Sequence, residues 1–190
     1  MSQPLKRCFW AEGSDSERDY HDTEWGRPLH GERELFEFLC LEGAQAGLSW
    51  RTILEKRANY RRVFHDFDID RCARLTDKEL EKALLDPGIV RNRLKVYGVR
   101  KNALAAQAVQ KEHGSLDTYL WSFVGAKPLD NTPRSRGDVP ASTERSDAMS
   151  KALKKKGFTF VGTTICYAFM QATGMVNDHM ADCFCRRSNA

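Results

Sequence analysis

Four side chains that can bind a metal ion stand near the two ends of this chain: Cys8 and His21 early, His179 and Cys183 late. The later pair is spaced His-x3-Cys, and residues four apart on a helix share a face. Two thiolates and two imidazoles make a closed tetrahedral Zn²⁺ set, with no position open for a substrate or water. Such a set would staple the termini together and leave any reaction to other residues. The alternative is a buried cysteine and a hydrogen-bonded histidine at each end. Of the remaining cysteines, Cys40, Cys72 and Cys166 fall in apolar helical patterns and read as core. Cys185 competes with Cys183 as a ligand, and the four-residue spacing favours Cys183.

A second pattern is Asp86-Pro87-Gly88-Ile89-Val90-Arg91-Asn92-Arg93. An acidic residue ends one helix, Gly88 makes a tight hairpin, two β-branched residues follow and a basic helix starts. This is the pattern of a helix-hairpin-helix, in which amide groups at a helix N-terminus face outward and hold a DNA phosphate without reading sequence. Gly88 and Val90 form the turn, and Arg91 and Lys95 would add charge beside it. An ordinary corner between two helices fits the same residues.

A third constellation is aromatic and acidic. Tyr20, His21, Asp22, Glu24 and Trp25 precede a run from Cys40 through Glu42, Gly47 and Leu48 to Trp50. Glu42 follows a strongly apolar helical run, where an unpaired carboxylate is costly. It needs a partner, either structural or a ligand with N–H donors or positive charge. Tyr20, Trp25 and Trp50 fit a core equally well, although rings and a carboxylate together suit a flat cation.

The elements that must position these groups read as helix after helix. Leu35, Phe36, Leu39 and Cys40 recur at helical spacing over about 32–46, and Ile53, Leu54, Val63 and Phe64 over about 50–64. Thr76-x-x-Glu79 is a capping-box signature for a short helix that stops at Asp86-Pro87-Gly88. A basic helix is expected over about 91–111, and Ser115 is a candidate cap for Leu116, Tyr119, Leu120 and Phe123. The proline-bearing stretch 125–143 reads as one long loop. Ser146 is expected to begin a helix stopped by Gly157, and a final, nearly all-apolar helix is expected over about 160–173. The run Phe158 to Val161 reads as its first part, so no strand is expected and the fold class is all-α.

Size and composition set the outer limits. A chain of 190 residues, 41% hydrophobic and 29% charged, fits one large domain or two small lobes. Net charge is +4, from 30 basic and 26 acidic residues, a mild lean toward polyanions. No apolar run is long enough to span a membrane, and residues 1–7 lack the apolar core of a secretory signal; a cytoplasmic protein is expected. Signatures of P-loop nucleotide binding, zinc proteases and serine hydrolases are absent.

Taken in order, Cys8-x-Trp10, Tyr20 to Gly26, Cys40 to Gly43, Gln45 to Trp50, Gly162 to Tyr167, Asn177 to His179 and Cys183 closely resemble the bacterial type I 3-methyladenine DNA glycosylases. The resemblance spans nearly the whole chain. It implies a helix-hairpin-helix glycosylase fold with two helical lobes around a base-binding cleft. One lobe would be zinc-stapled from both termini and the other would carry the hairpin at about 50–120, within a single 1–190 unit. It implies excision of N3-methyladenine from double-stranded alkylated DNA by a monomer that leaves an abasic site. One structural zinc would sit on Cys8, His21, His179 and Cys183. Glu42 would be the catalytic residue and read the adenine edge, with Tyr20 and Trp50 stacking on the ring and Trp25 nearby. Gly47 and Leu48 would probe the gap left in the duplex, and Gly88, Val90, Arg91 and Lys95 would grip the backbone. Two positions depart from the family pattern: Glu17 stands where a pocket tyrosine is usual, and Ala168 where a serine is common. The sequence marks no aspartate for activating water.

Overall fold

The computed structural model describes residues 5–188, and the chain is built almost wholly of helices. In order they are α1 (Asp15–Thr23), α2 (Glu32–Gln45), α3 (Trp50–Val63), α4 (Ile69–Ala73), α5 (Asp77–Ala83), α6 (Arg93–His113), α7 (Leu116–Trp121), α8 (Glu144–Lys155) and α9 (Thr163–Ala172). Side-chain caps start most of them. Ser14, Ser49, Asn92 and Ser115 each accept from a backbone amide three residues on, and Thr76 with Glu79 forms the expected capping box. Each such cap satisfies an amide that the helix itself cannot, at a gain of about 1 kcal/mol.

Helix α2 is the axis of the molecule. Every residue from Leu35 to Ala44 is buried, as expected of a helix apolar on all sides. It packs on α3, α6, α7 and α9. Two carboxylates lie on it with opposite solutions to burial. Glu37 accepts from Arg57 Nε at 2.6 Å and Arg61 Nε at 2.9 Å. Among the described residues no cation meets Glu42.

The structure shifts several expected boundaries. Helix α8 starts at Glu144, because Thr143 caps it and Ser146 closes the box from the third position. The last helix starts at Thr163 and not near 160. Asn102 clamps the segment before it, donating to Thr159 O and accepting from Thr159 N, and Phe160 has a φ of 57°. Gly43 and Gly98 leave room for that segment, since a Cβ on Gly43 would meet Phe160 Cβ at 2.9 Å. Helix α6 starts two residues later than expected, at Arg93, where Asn92 supplies the cap. The expectation of no strand fails locally. Leu129–Asp130 (β1) pairs in parallel with Val176–Asn177 (β2). A two-residue bridge leaves no alternating pattern long enough to read.

That bridge ties the long 125–143 connection to the segment after α9. Gly174 makes the turn into this segment with a φ of +68°, and a Cβ there would lie 2.3 Å from Arg27 C and 2.4 Å from Pro28 N. Both the dihedral and the space demand glycine. Gly174→Ala is expected to lower stability by roughly 2–4 kcal/mol, measured as a shift of the urea midpoint at unchanged slope.

Candidate active site and terminal metal cluster

The terminal residues meet as the sequence predicts. Cys8, His21, His179 and Cys183 are all buried, with ligand atoms within 4.8 Å of one another. Cys8 Sγ lies 3.6 Å from His179 Nδ1, and Cys183 Sγ lies 3.4 Å from His21 Nε2 and 3.5 Å from His179 Nδ1. A tetrahedral ion with metal–sulfur and metal–nitrogen bonds of ordinary length requires S···N edges of about 3.5 Å. The remaining ring nitrogens are fixed. His21 Nδ1 faces Asp22 Oδ1 at 2.8 Å, and His179 Nε2 faces Trp25 O at 3.1 Å. Each acceptor holds a proton on the outer nitrogen and turns the inner lone pair toward the cluster. Asp22 is held in turn by Arg7 Nε at 2.9 Å. The residues therefore fit a bound metal ion, and four protein donors close the set.

One expectation about this cluster is corrected. His179 and Cys183 are not on a helix. They flank an irregular turn in which Cys183 N donates to Met180 O at 2.8 Å. The turn brings the two ligands together where a helix had been expected to do so. Cys185 lies 3.9 Å from His21 Nδ1, the ring nitrogen that faces Asp22, and falls outside the group of four.

Beside the cluster lies a cavity of about 270 Å³, near the ~300 Å³ lower end of ligand pockets. Helix α1 supplies Tyr20, α2 supplies Glu42 and Gln45, the first turn of α3 supplies Trp50, and α9 supplies Ala168 and Gln171. Trp10 and Trp25 close one side with rings 5.0 Å apart, edge to face. Tyr20 and Trp50 form the other ring pair at 5.4 Å. Phe9, half exposed, lies at the mouth.

Its electrostatics are one-sided. Three carboxylates line the cavity, on Glu17, Glu42 and Asp178, and no lysine, arginine or histidine does. Burial alone pushes the Glu42 carboxyl up to about 8, because a charge without a partner is disfavoured in a low dielectric. Burial and then the nearby Glu42 charge push the Tyr20 hydroxyl well above its ordinary range. The Tyr20 hydroxyl and Trp50 Nε1 are buried polar atoms without a hydrogen-bond partner. Native structures rarely leave such groups unmet, and both residues line the cavity.

Asp178 is the residue that sequence reading missed. It is buried, accepting from Asn131 Nδ2 at 2.8 Å, Tyr167 Oη at 2.6 Å and Gln171 Nε2 at 2.7 Å. All three donors are neutral, and among the described residues no cation pairs with it. Its place next to the ligand His179 was the available signal. Glu17 and Ala168, the two departures from the family pattern, both line the cavity. Glu17 is not a free charge, since Ser14 Oγ donates to it at 2.9 Å and Arg51 Nε at 3.3 Å.

A family model described as methyladenine glycosylase matches residues 10–186. The chain belongs to the methyladenine glycosylase family. A DNA-3-methyladenine glycosylase from Haemophilus influenzae is 46% identical over 182 residues, covering 96% of this chain and 98% of that protein. A crystal structure of a 3-methyladenine DNA glycosylase I superposes with a TM-score of 0.92 at 49% identity, over 95% of this chain and 99% of the other. Another glycosylase I of the same type, crystallised with 3-methyladenine, gives 0.92 at 32% identity over 95% of this chain and 97% of its own.

Of the residues expected to hold DNA, Leu48 is exposed, and Gly47 beside it has a φ of +79° with open space around it. The hairpin differs from expectation. Gly88 N donates to Asp86 Oδ1 at 2.7 Å and Val90 N to Tyr60 Oη at 3.2 Å, so both amides already have an acceptor within the protein. Gly88 is needed for close packing, because a Cβ would meet Asn59 Cγ at 2.6 Å. Lys95 Nζ is committed to Ala44 O at 2.8 Å and Ala46 O at 2.6 Å, so it caps α2 and does not reach outward. Arg91 is exposed.

Cys183→Ala is expected to reduce bound metal, measured by elemental analysis, and to lower Tm by roughly 6–12 °C for a loss near 3 kcal/mol. Cys185→Ala should leave metal content unchanged; equal loss from both would reassign the ligand.

Proposed function

We propose that this chain is a DNA repair glycosylase that excises N3-methyladenine from alkylated double-stranded DNA, with Glu42 as the residue that recognises the lesion. The observation that carries this reading is a purine-scale cavity walled by Tyr20, Trp50, Trp10 and Trp25 and lined by acids without a single cation. A base methylated at N3 carries positive charge on its ring. It fits between π faces and beside a carboxylate, where cation–π contacts contribute about 0.5–2 kcal/mol each. Unmodified adenine lacks the charge and gains less from the same walls.

The mechanism follows from where the charge goes. The nucleotide leaves the stack and its base enters the cavity. The bond from deoxyribose C1′ to N9 breaks, and its electron pair passes to the base and cancels the ring's charge. Water adds to C1′ and gives up a proton, leaving an abasic sugar and neutral 3-methyladenine. The leaving group needs no proton, which suits a cavity whose nearest titratable groups are acids with a high or unmet demand for positive charge. Glu42 ionised beside the cationic base holds it in place. The unpartnered Tyr20 hydroxyl and Trp50 N–H supply donors for the purine edge. Exposed Leu48 on the loop after α2 would fill the gap in the duplex, and Arg91 with the first free amides of α6 would meet a phosphate. No lysine stands in the cavity for Schiff-base chemistry, in keeping with a monofunctional glycosylase.

The terminal cluster would hold one zinc ion, for which two thiolates and two imidazoles are the ordinary tetrahedral donors. When bound, zinc supplies cross-linking of the chain ends and no open coordination position. The wider arrangement is read as two helical lobes of one unit in the helix-hairpin-helix superfamily, acting as a monomer in the cytoplasm. Among the described residues no helix is long and apolar enough to cross a membrane.

Release of 3-methyladenine from methylated DNA, resolved by lesion type, tests the activity; release of 7-methylguanine alone would refute the selectivity. Excision kcat/KM should rise with pH and level off above about 8, where Glu42 ionises. Glu42→Gln should lose this limb and fall roughly 10–100-fold. The same variant has a stability signature. Between about 4.5 and about 8 the folded chain keeps a proton on Glu42 that the unfolded chain has released, so stability falls as pH rises through that window. Glu42→Gln should therefore be more stable than the parent at pH 9, by roughly 2–4 kcal/mol, in denaturant titrations.

A further inference from the structure

The long connection 125–143 forms part of the cavity rim. Val139 lines the cavity, and the Arg136 guanidinium lies 5.3 Å from the centre of the Phe9 ring at its mouth. Three ties fix this loop in place. Asn131 N donates to Asn177 O, Ala181 N donates to Pro133 O at 2.8 Å, and Asp138 Oδ2 accepts from Arg134 N at 2.9 Å and Ser135 N at 2.8 Å. Met180, the neighbour of Ala181, is itself a cavity wall.

Several cations near the chain ends are already paired with acids. Arg7 is paired with Asp22, Arg51 with Glu17, Arg186 with Asp130, and Lys6 with Asp182. Arg134 and Arg136 are exposed, and among the described residues no acidic group pairs with either side chain. The loop's own acid, Asp138, is occupied by backbone amides. A nucleotide entering the cavity would bring phosphates toward a site lined by three carboxylates and no cation. Something on the rim must offset that repulsion.

We propose that Arg134 and Arg136 form a phosphate clamp on the rim, binding the DNA backbone beside the extruded nucleotide. This rests on the reading that the cavity receives a base from DNA. The clamp acts on the duplex and leaves the purine contacts untouched. The loop thereby supplies backbone-positioning contacts, which carry no sequence information, from a segment separate from the hairpin.

The test is the double variant Arg134→Gln/Arg136→Gln, with Arg134→Lys/Arg136→Lys as its charge-keeping partner. Binding to a duplex carrying a stable abasic-site analogue is measured by anisotropy over a range of salt. Loss of one or two phosphate contacts should lower the slope of log K against log salt by about 1–2 and weaken binding roughly tenfold at low salt. The lysine variant should keep the slope. Binding of free 3-methyladenine, followed by the fluorescence of the cavity tryptophans, should be unchanged in both. An unchanged slope in the glutamine variant overturns the clamp, as does an equal fall in the lysine variant. Absence of base release by the parent protein would sink the functional reading instead, and that outcome is read separately from the salt slopes.

Discussion

One buried carboxylate organises this molecule. Glu42 sits on the most enclosed helix of the fold, and no cation has been placed against it. Glu37, five residues earlier on the same helix, shows what the chain does when a buried charge is structural: two arginines converge on it. A carboxylate left unpaired at such depth costs free energy that a well-packed apolar residue would not. Around it stand the rings of Tyr20, Trp50, Trp10 and Trp25, the acids Glu17 and Asp178, and two polar atoms, the Tyr20 hydroxyl and the Trp50 N–H, that lack a hydrogen-bond partner among the described residues. On the proposed reading, such a site suits a ligand that carries positive charge into a water-poor space, where electrostatic contacts are strongest.

The terminal cluster matters to that site through position. Its ligands and the cavity walls are close neighbours in the chain. Cys8 precedes Phe9 and Trp10, Asp178 precedes His179, and Met180 follows it. His179 also holds the backbone of Trp25. Drawing the four ligands together therefore assembles walls from both ends of the sequence. With four protein donors the cluster would offer a bound metal no further ligand position, and on the proposed reading the cavity handles the reacting bond.

Local signals in the sequence were faithful where they were local. The capping box at Thr76, the Ser115 cap and the apolar run of α2 are each settled within a few residues, and the structure keeps them. The metal set was also legible, because few residue types serve as ligands. Its geometry was not, since an irregular turn and a helix can both close a four-residue spacing. The hairpin shows the same division. Its glycine and its basic flank were visible, yet the amides of Gly88 and Val90 are already bonded to Asp86 and Tyr60.

What the residues alone determined is the inventory: a helical chain, a closed donor set, and an acid in an apolar helix that needed something to meet it. Only the tertiary structure decided what that something could be. Whether Glu42 faced an arginine or an empty space depended on how α1, α3 and α9 pack around α2, and those contacts join residues far apart in the chain. Asp178 entered the cavity for the same reason, carried there by a two-residue bridge and a glycine turn too short to leave a periodic trace. Hydrogen-bonding pattern along a chain follows from neighbours, whereas the dielectric around a charge is set by everything folded over it.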